Sequence, residues 1–382
     1  MLSRPTPSAL LLIAALVFTG STRVAAADFF VYYGSPDGGA GKGISLGRFD
    51  SATGALTAPQ LAVQAEGPSF LALAADGKHL YACLEKAGSV GAYAIDPATG
   101  ALRLLNTQPS GGAGPCHLSF DRTGRFVLVA NYDAGSVAVF PLAADGTLGG
   151  RTGFDQHTGK GPNAERQEGP HAHGIITDPT NRFALCCDLG NDRIHVYRFD
   201  ASTGTLTPNT PATLSVAPGA GPRHPLFSAD GKVLYVINEM GATVTAFNWD
   251  AARGTATEFQ TVSTLPADFK AFNKDAEVKL HPNGKFLYAS ARGHDSIAVF
   301  AIEPATGRLT LAQDVSTRGQ FPRHFNFDPT GAFVVAGNQD SNTVVAFRAD
   351  AATGRLTPVG EPVAAPAPIC MLFLPVPAGA GR

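Results

Sequence analysis

The sequence predicts an all-β fold, a seven-bladed β-propeller with four-stranded blades. Five short apolar runs each follow a Gly-Pro or Phe-Pro dipeptide, and an acidic turn that contains glycine occurs seven times. The turn glycines are Gly54, Gly100, Gly146, Gly204, Gly254, Gly307 and Gly354. Their spacing of 46 to 58 residues is typical of a repeat in which each unit is one blade. Seven turns therefore predict seven blades.

Each repeat unit has the pattern of a β-meander. In one unit the apolar runs are His117–Phe120, Phe126–Ala130 and Ser136–Phe140, and a looser fourth run follows the acidic turn at Gly146. Short apolar runs bounded by turn residues predict strands, and four such strands per repeat make a propeller blade. No segment has a convincing helical period.

The two ends of the chain are predicted to share the last blade. The runs at 29–33 and 43–46 precede the first acidic turn without a Gly-Pro inner strand before them, while 369–374 is a single apolar run at the other end. We expect Ile369–Leu374 to lie inside Phe29–Tyr33. Such a closure leaves no free sheet edge around the ring.

Residues 1–27 have the pattern of a secretory signal peptide. Arg4 lies in a short basic start, an apolar run covers 9–18, and three alanines precede Asp28. The apolar run is too short for a membrane span, which needs ~20 residues. The sequence therefore predicts an exported protein, periplasmic or secreted, with no membrane association after cleavage and a single propeller domain over residues 28–377.

Composition excludes several classes of function. The net charge of −2 and the lack of a Lys/Arg run argue against nucleic-acid and membrane-surface binding. The five cysteines all lie in apolar runs and include no Cys-x-x-Cys, so neither a disulfide framework nor a zinc site is expected. We expect no metal and no cofactor, and the sequence makes no prediction of an oligomeric state.

Polar residues are predicted to meet on one rim of the central channel. In a meander, the connection into the first strand and the connection between the second and third strands lie on the same face. The residues concerned are His117, His171, His173, Arg223, His224, Glu277, Arg323 and His324 from the first set, and Asn131, Asp188, Asn238, Glu239, Arg292, His294 and Asn338 from the second. Clustered arginines suit an anionic or oxyanionic ligand, and a carboxylate or neutral histidine can take a proton from water.

Several of these residues also have a purely structural interpretation. His117 and His224 would then cap strands, Arg292 and Glu239 would form one ion pair between blades, and the Asn and Asp side chains would hold turns. The pair His171-x-His173 could be metal ligands, but the sequence offers no nearby third ligand at a fixed spacing.

Two segments, 149–168 and 261–274, lengthen the connections into inner strands. Insertions on one face of a repeat array often line the binding face, although surface loops tolerate them as well. No Gly-x-Ser-x-Gly elbow or dinucleotide fingerprint is present, so acyl-enzyme chemistry through a serine is not supported.

Several motifs together carry a family resemblance. They are Gly114-Pro-Cys-His-Leu-Ser, Gly169-Pro-His-Ala-His, Gly221-Pro-Arg-His, Asn238-Glu239, Arg292-Gly-His-Asp-Ser-Ile and Phe321-Pro-Arg-His-Phe. With them the sequence resembles the β-propeller lactonases, which include a bacterial 6-phosphogluconolactonase and fungal carboxy-muconate cyclases. The resemblance implies a central pocket that uses His171, His173, Arg223, Glu239 and Arg292. The chain departs from the family pattern at Ala291 and at Leu84-Glu85.

These observations predict a lactonase that hydrolyses a sugar-type lactone without a metal. Arginines would stabilise the oxyanion, and Glu239 or a histidine would activate water. The predicted substrate-binding residues are His117, His224, Glu277, His294, Arg323 and His324. The ligand would be a lactone or its hydroxy acid, and export favours an unphosphorylated aldonolactone as much as a phosphorylated one. The alternatives are a cycloisomerase that closes a muconate-type lactone and a non-catalytic propeller that binds a ligand at the same rim.

Overall fold

The computed structural model describes residues 28–36 and 43–377. The predicted signal peptide, residues 1–27, lies outside the described residues. None of the described residues belongs to a helix of the length and apolarity needed to cross a membrane.

The described chain forms seven sheets from 29 strands. The first four strands are β1 (Asp28–Gly34), β2 (Gly43–Asp50), β3 (Ala55–Leu56) and β4 (Gln60–Gln64). Blade 1 contains β5 (Pro68–Leu73), β6 (His79–Leu84), β7 (Ser89–Ile95) and β8 (Leu102–Pro109). Blade 2 contains β9 (Pro115–Phe120), β10 (Phe126–Asn131), β11 (Ser136–Pro141) and β12 (Gly153–Gln156). Blade 3 contains β13 (Ala172–Thr177), β14 (Phe183–Asp188), β15 (Arg193–Asp200) and β16 (Thr205–Ser215).

The later blades follow the same order. Blade 4 contains β17 (Pro222–Phe227), β18 (Val233–Asn238), β19 (Thr243–Asp250) and β20 (Thr255–Ser263). Blade 5 contains β21 (Lys274–Leu280), β22 (Phe286–Arg292), β23 (Ser296–Ile302) and β24 (Leu309–Ser316). Blade 6 contains β25 (Pro322–Phe327), β26 (Phe333–Asn338), β27 (Thr343–Ala349) and β28 (Leu356–Ala364). The last strand is β29 (Cys370–Pro375).

Blade 7 is built from both ends of the chain. Its sheet has the order β29-β1-β2-β3, with β4 also paired to β2. Strand β29 is antiparallel to β1, with Phe373 opposite Val31. Phe373 also packs edge-on against Phe49, with ring centroids 5.4 Å apart. The predicted seven-bladed propeller and its closure by terminal strands are confirmed, although the closing strand begins one residue later than expected.

The acidic turn of each blade packs against the neighbouring blade, which explains why the turn recurs in every repeat. The backbone at Gly54 has φ +82°, and a Cβ there would lie 2.6 Å from the ring of Phe333 in blade 6. A side chain at this turn would therefore separate the two blades. The carbonyls of the turns are used as well, because the Tyr81 and Tyr235 hydroxyls donate to the oxygens of Gly146 and Gly307 at 2.7 Å.

The upper face of the propeller is defined by the connections into the inner strands. There the backbone N–H that follows a second strand donates to the carbonyl that precedes an inner strand, as from Glu85 to Gly67 and from Glu239 to Gly221. The turns between first and second strands lie on the opposite, lower face. This arrangement places the connections into the inner strands around one central channel.

Candidate active site

A cavity of about 270 Å³ opens on the upper face at the centre of the ring. Its walls come from blades 1 to 6 and from the segment between blades 2 and 3. The lining residues are Glu85, Cys116, Tyr132, Asp133, Arg166, His173, Glu239, Lys274, Arg292, Phe321 and Arg323. Of the predicted site residues, the structure brings His173, Glu239, Arg292 and Arg323 together in this cavity.

Glu239 is the centre of a buried charge cluster. Its Oε1 accepts from Arg166 Nη2 at 2.8 Å, and its Oε2 lies 2.7 Å from Arg292 Nη2 and 3.3 Å from Arg223 Nε. Burial alone would raise the pKa of this carboxyl, but the charges of the three arginines outweigh burial and hold the pKa far below its ordinary value. A carboxylate held in this way is a poor acceptor for a proton from water.

The same cluster predicts how stability depends on pH. The folded-state pKa of Glu239 is depressed from 4.5, so its ion pairs stabilise the protein fully above that value. The stabilisation is lost as the pH falls through the folded-state pKa. We expect the free energy of unfolding, measured by denaturant titration, to decrease steeply below about pH 4.5 and to decrease less steeply in Glu239→Gln. Parallel pH profiles for the two proteins would contradict this expectation.

Arg223 is placed behind the cavity rather than in its wall. The side chain is almost fully buried, and its Nη1 donates to the carbonyl of Ala276 at 2.5 Å. Burial and the nearby charges of Arg292 and Arg323 lower the pKa of Arg223 to about 9. The guanidinium therefore remains mostly protonated at neutral pH, and it contacts Glu239 without lining the cavity itself.

His173 reaches the cavity as a neutral imidazole. It is buried, and burial, followed by the positive charge of Arg223, lowers its pKa well below the ordinary value. Its Nδ1 has no hydrogen-bond partner among the described residues. His173 therefore lines the cavity with an uncharged ring, although its Nδ1 atom is itself buried.

His171 and His294 do not line the cavity. The ring of His171 stacks on Tyr132 with centroids 4.5 Å apart, and its Nε2 lies 3.1 Å from Glu168 Oε1. His294 lies toward the outside of blade 5, where its Nδ1 is 2.7 Å from the Ser296 hydroxyl. Both histidines of His171-x-His173 thus pack against Tyr132, His171 by stacking and His173 edge-on with ring centroids 5.6 Å apart, but of the two only His173 lines the cavity.

A second group of predicted residues fills the channel beneath the cavity. Glu277 Oε1 lies 3.3 Å from His224 Nδ1, and Glu277 Oε2 lies 3.4 Å from His324 Nε2. The ring of His117 packs 4.4 Å from Phe70 and 4.9 Å from His224, measured between centroids.

This buried layer has its own opening. His117, His224 and Glu277 line a lower cavity of about 490 Å³, which extends to lower-face residues such as Arg122 and Ala229. Burial lowers the pKa of His117 and His224 well below the ordinary value and that of His324 to about 3. The predicted substrate-binding set is therefore divided, with only Arg323 lining the upper cavity.

Sequence reasoning missed several wall residues. They are Glu85, Cys116, Tyr132, Asp133, Arg166, Lys274 and Phe321. Glu85 and Tyr132 occupy the repeat position of Glu239, because the backbone N–H of each donates to the carbonyl before an inner strand. Aligning the repeats on this position would have found both residues.

Arg166 and Lys274 come from the two lengthened connections. Arg166 Nη2 donates to the Tyr132 hydroxyl at 3.0 Å as well as to Glu239. Lys274 begins β21 and also lines the cavity. Each of the segments 149–168 and 261–274 thus contributes one residue to the wall of the cavity. No spacing rule in the sequence could have selected Arg166 within its segment.

One other cluster has donor atoms typical of a metal site. Asp155, His157 and His195 offer ligand atoms within 4.8 Å of one another. The two imidazole rings are stacked, with centroids 3.6 Å apart and planes within 4° of parallel. Because imidazole lone pairs lie in the ring plane, one ion cannot face both rings in this arrangement. His157 also already contacts Asp188 at 2.6 Å and the Tyr197 hydroxyl at 2.7 Å.

Comparison with known proteins agrees with the fold. The chain matches the family described as Lactonase, 7-bladed beta-propeller, over residues 30–373. A 6-phosphogluconolactonase from Bacillus subtilis is 40% identical over 346 residues, which cover 90% of this chain and 97% of that protein.

Solved structures give the same result. A periplasmic gluconolactonase from Pseudomonas aeruginosa has a TM-score of 0.86 at 30% identity, covering 92% of this chain and 100% of that one. A candidate 6-phosphogluconolactonase from Bacteroides fragilis has a TM-score of 0.85 at 36% identity, covering 92% and 99%. The predicted family is confirmed, and the chain belongs to the seven-bladed β-propeller lactonases.

Proposed function

We propose that this protein hydrolyses the lactone of a sugar acid in the upper cavity. The observation that carries the proposal is a separation of charge across the cavity. Arg323 and Lys274 lie on the side of blades 5 and 6, whereas Glu85 and Asp133 lie on the side of blades 1 and 2. Within the described ranges, none of these four side chains forms an ion pair within 4.0 Å.

The cationic side suits the lactone carbonyl. When water attacks, negative charge develops on the carbonyl oxygen, and Arg292, Arg323 and Lys274 offer positive donors for it. The same donors suit the carboxylate of the product. Arg292 is held in place by Glu239, so Glu239 acts as a positioning residue in this scheme.

The acidic side suits the sugar hydroxyls and the attacking water. We assign the general base to Glu85, because it lines the cavity at the repeat position of Glu239 yet has no arginine partner there. Water adds to the carbonyl carbon and gives its proton to Glu85. The ring C–O bond then breaks, and the proton passes to the departing oxygen to form the hydroxy acid.

Two classes of sugar lactone fit this chemistry. Relatives carry the names 6-phosphogluconolactonase and periplasmic gluconolactonase. We also propose that residues 1–27 direct export from the cytoplasm. A phosphorylated sugar lactone is not expected outside the cytoplasm. The proposed substrate is therefore an unphosphorylated aldonolactone. Hydrolysis followed by pH-stat, with glucono-δ-lactone and its 6-phosphate compared, tests this choice through the ratio of the two kcat/KM values.

Removing the proposed base should reduce turnover. Glu85→Gln is expected to lower kcat by about 10²-fold, the lower end of the usual contribution of a general base, with little change in KM. Glu66→Gln is the matched control, since Glu66 is exposed in the connection into the same blade. Full activity in Glu85→Gln together with loss of activity in Asp133→Asn would show that Asp133, and not Glu85, is the general base. Binding of aldonates without turnover of any lactone would support a non-catalytic propeller instead.

A further inference from the structure

Four inner strands are preceded by the same backbone conformation. Gly67, Gly114 and Gly221 have φ of 62°, 66° and 62°, and each precedes the proline that opens an inner strand. Phe321 precedes Pro322 with φ 60°. In all four blades the carbonyl of this residue accepts the N–H of the residue that follows the second strand; the acceptor–donor pairs are Gly67 with Glu85, Gly114 with Tyr132, Gly221 with Glu239 and Phe321 with Gln339. The positions are therefore structurally equivalent.

Phe321 is unfavourable at this position by its backbone alone. A left-handed φ suits glycine, whereas a bulky L-residue meets steric conflict between its Cβ and the backbone. The following proline restricts the residue further. The strained conformation is held in place, because Asp295 Oδ1 accepts the N–H of Phe321 at 2.8 Å. Strained residues that persist in this way are concentrated at ligand sites.

The side chain of Phe321 faces the upper cavity. Its ring lines the cavity, and the guanidinium carbon of Arg292 lies 5.0 Å from the ring centroid. The ring thus contributes an apolar surface to a wall that is otherwise rich in charge. The arginine that the ring contacts is the one whose Nη2 lies 2.7 Å from Glu239 Oε2.

We propose that Phe321 is a specificity-determining residue, whose ring forms the apolar wall against which the C–H face of a sugar lactone packs. An aromatic face suits the C–H groups of a sugar ring, while the cations and carboxylates around it take the carbonyl and the hydroxyls. The glycine found in blades 1, 2 and 4 would relieve the backbone but would leave this wall open. The proposal rests on the proposed lactonase function and names the group that recognises the ring of its substrate.

The test separates the ring from the backbone. Phe321→Gly should keep or raise the midpoint of thermal unfolding, because glycine accepts this φ. For glucono-δ-lactone it should raise KM about tenfold while kcat changes by less than about threefold, as expected for lost binding that is equal in ground and transition states. Phe321→Trp should retain KM within about threefold. Ala367→Gly is the matched backbone control, since Ala367 has φ 36° and carries only a methyl group; it should leave KM unchanged.

Two results would overturn the proposal. An unchanged KM in Phe321→Gly would show that the ring does not contact the substrate. A fall of many degrees in its midpoint would show that the ring is a packing element. If wild type hydrolyses no lactone, the proposed function fails, and thermal stabilisation by sodium gluconate decides the inference separately. If gluconate raises the midpoint of thermal unfolding in wild type but not in Phe321→Gly, the result supports the apolar wall. Equal increases in the two proteins, or no increase in either, reject it.

Discussion

Replacing Arg292 with alanine is expected to lower kcat/KM for lactone hydrolysis by about 10²–10³-fold, the loss typical of one preorganised oxyanion donor. Arg292 lines the upper cavity, is buried, and is held by Glu239 Oε2 at 2.7 Å. Its charge is therefore fixed before the substrate arrives and needs no reorganisation during the reaction. Initial rates by pH-stat over a range of glucono-δ-lactone concentrations give the measurement.

Stability must be separated from catalysis in this experiment. Removing Arg292 leaves Glu239 with fewer positive partners, and a poorly compensated buried charge is destabilising. The double variant Arg292→Ala with Glu239→Gln removes that charge, and we expect its midpoint to recover while its activity stays low. Arg253→Ala is the control for arginine removal, because that side chain is 81% exposed in an acidic turn. Activity near wild type in both Arg292 variants would remove the arginine from the mechanism.

Ending the chain after Pro368 is expected to abolish the cooperative thermal transition seen in the full-length protein. The deletion removes β29, so β1 loses its inner hydrogen-bonding partner and Phe49 loses its contact with Phe373. Buried aromatic residues typically contribute ~3–5 kcal/mol each, and an opened ring exposes a sheet edge that favours aggregation. Differential scanning calorimetry of the two proteins measures the change.

A synthetic peptide of residues 369–377 gives a control for the truncation. If the closing strand acts through pairing with β1, adding the peptide in excess should restore part of the transition, because binding to the folded state stabilises it. A peptide in which Phe373 is alanine should restore less. A truncated protein with an unchanged midpoint would show that the other six blades hold the ring without this closure.

The fold was predictable because its signals are local and repeated. Each acidic turn carries a glycine that must lie against the neighbouring blade, as Gly54 does against Phe333, so the constraint recurs in the sequence at the period of the blade. The closure followed from counting strands, since the two apolar runs before the first acidic turn lacked an inner strand and a single apolar run was left at the other end of the chain. Strand β29 begins one residue later than predicted because its bounds depend on the register of its pairing with β1, which the sequence pattern does not specify.

The topology predicted which residues lie near the rim, but it did not predict how deep each residue lies in the channel. Strands advance ~3.3 Å per residue, so neighbouring residues of one motif reach different levels. Arg323 lines the upper cavity, whereas His324 lies below it beside Glu277. The chemical state of Glu239 was also a tertiary property, since Arg166, Arg223 and Arg292 come from separate parts of the chain and meet only in the folded ring. The sequence alone thus determined the blades, their number and the face of the site. Only the packing of the blades around the channel decided which charges are neighbours, because pKa values depend on distances between residues far apart in sequence.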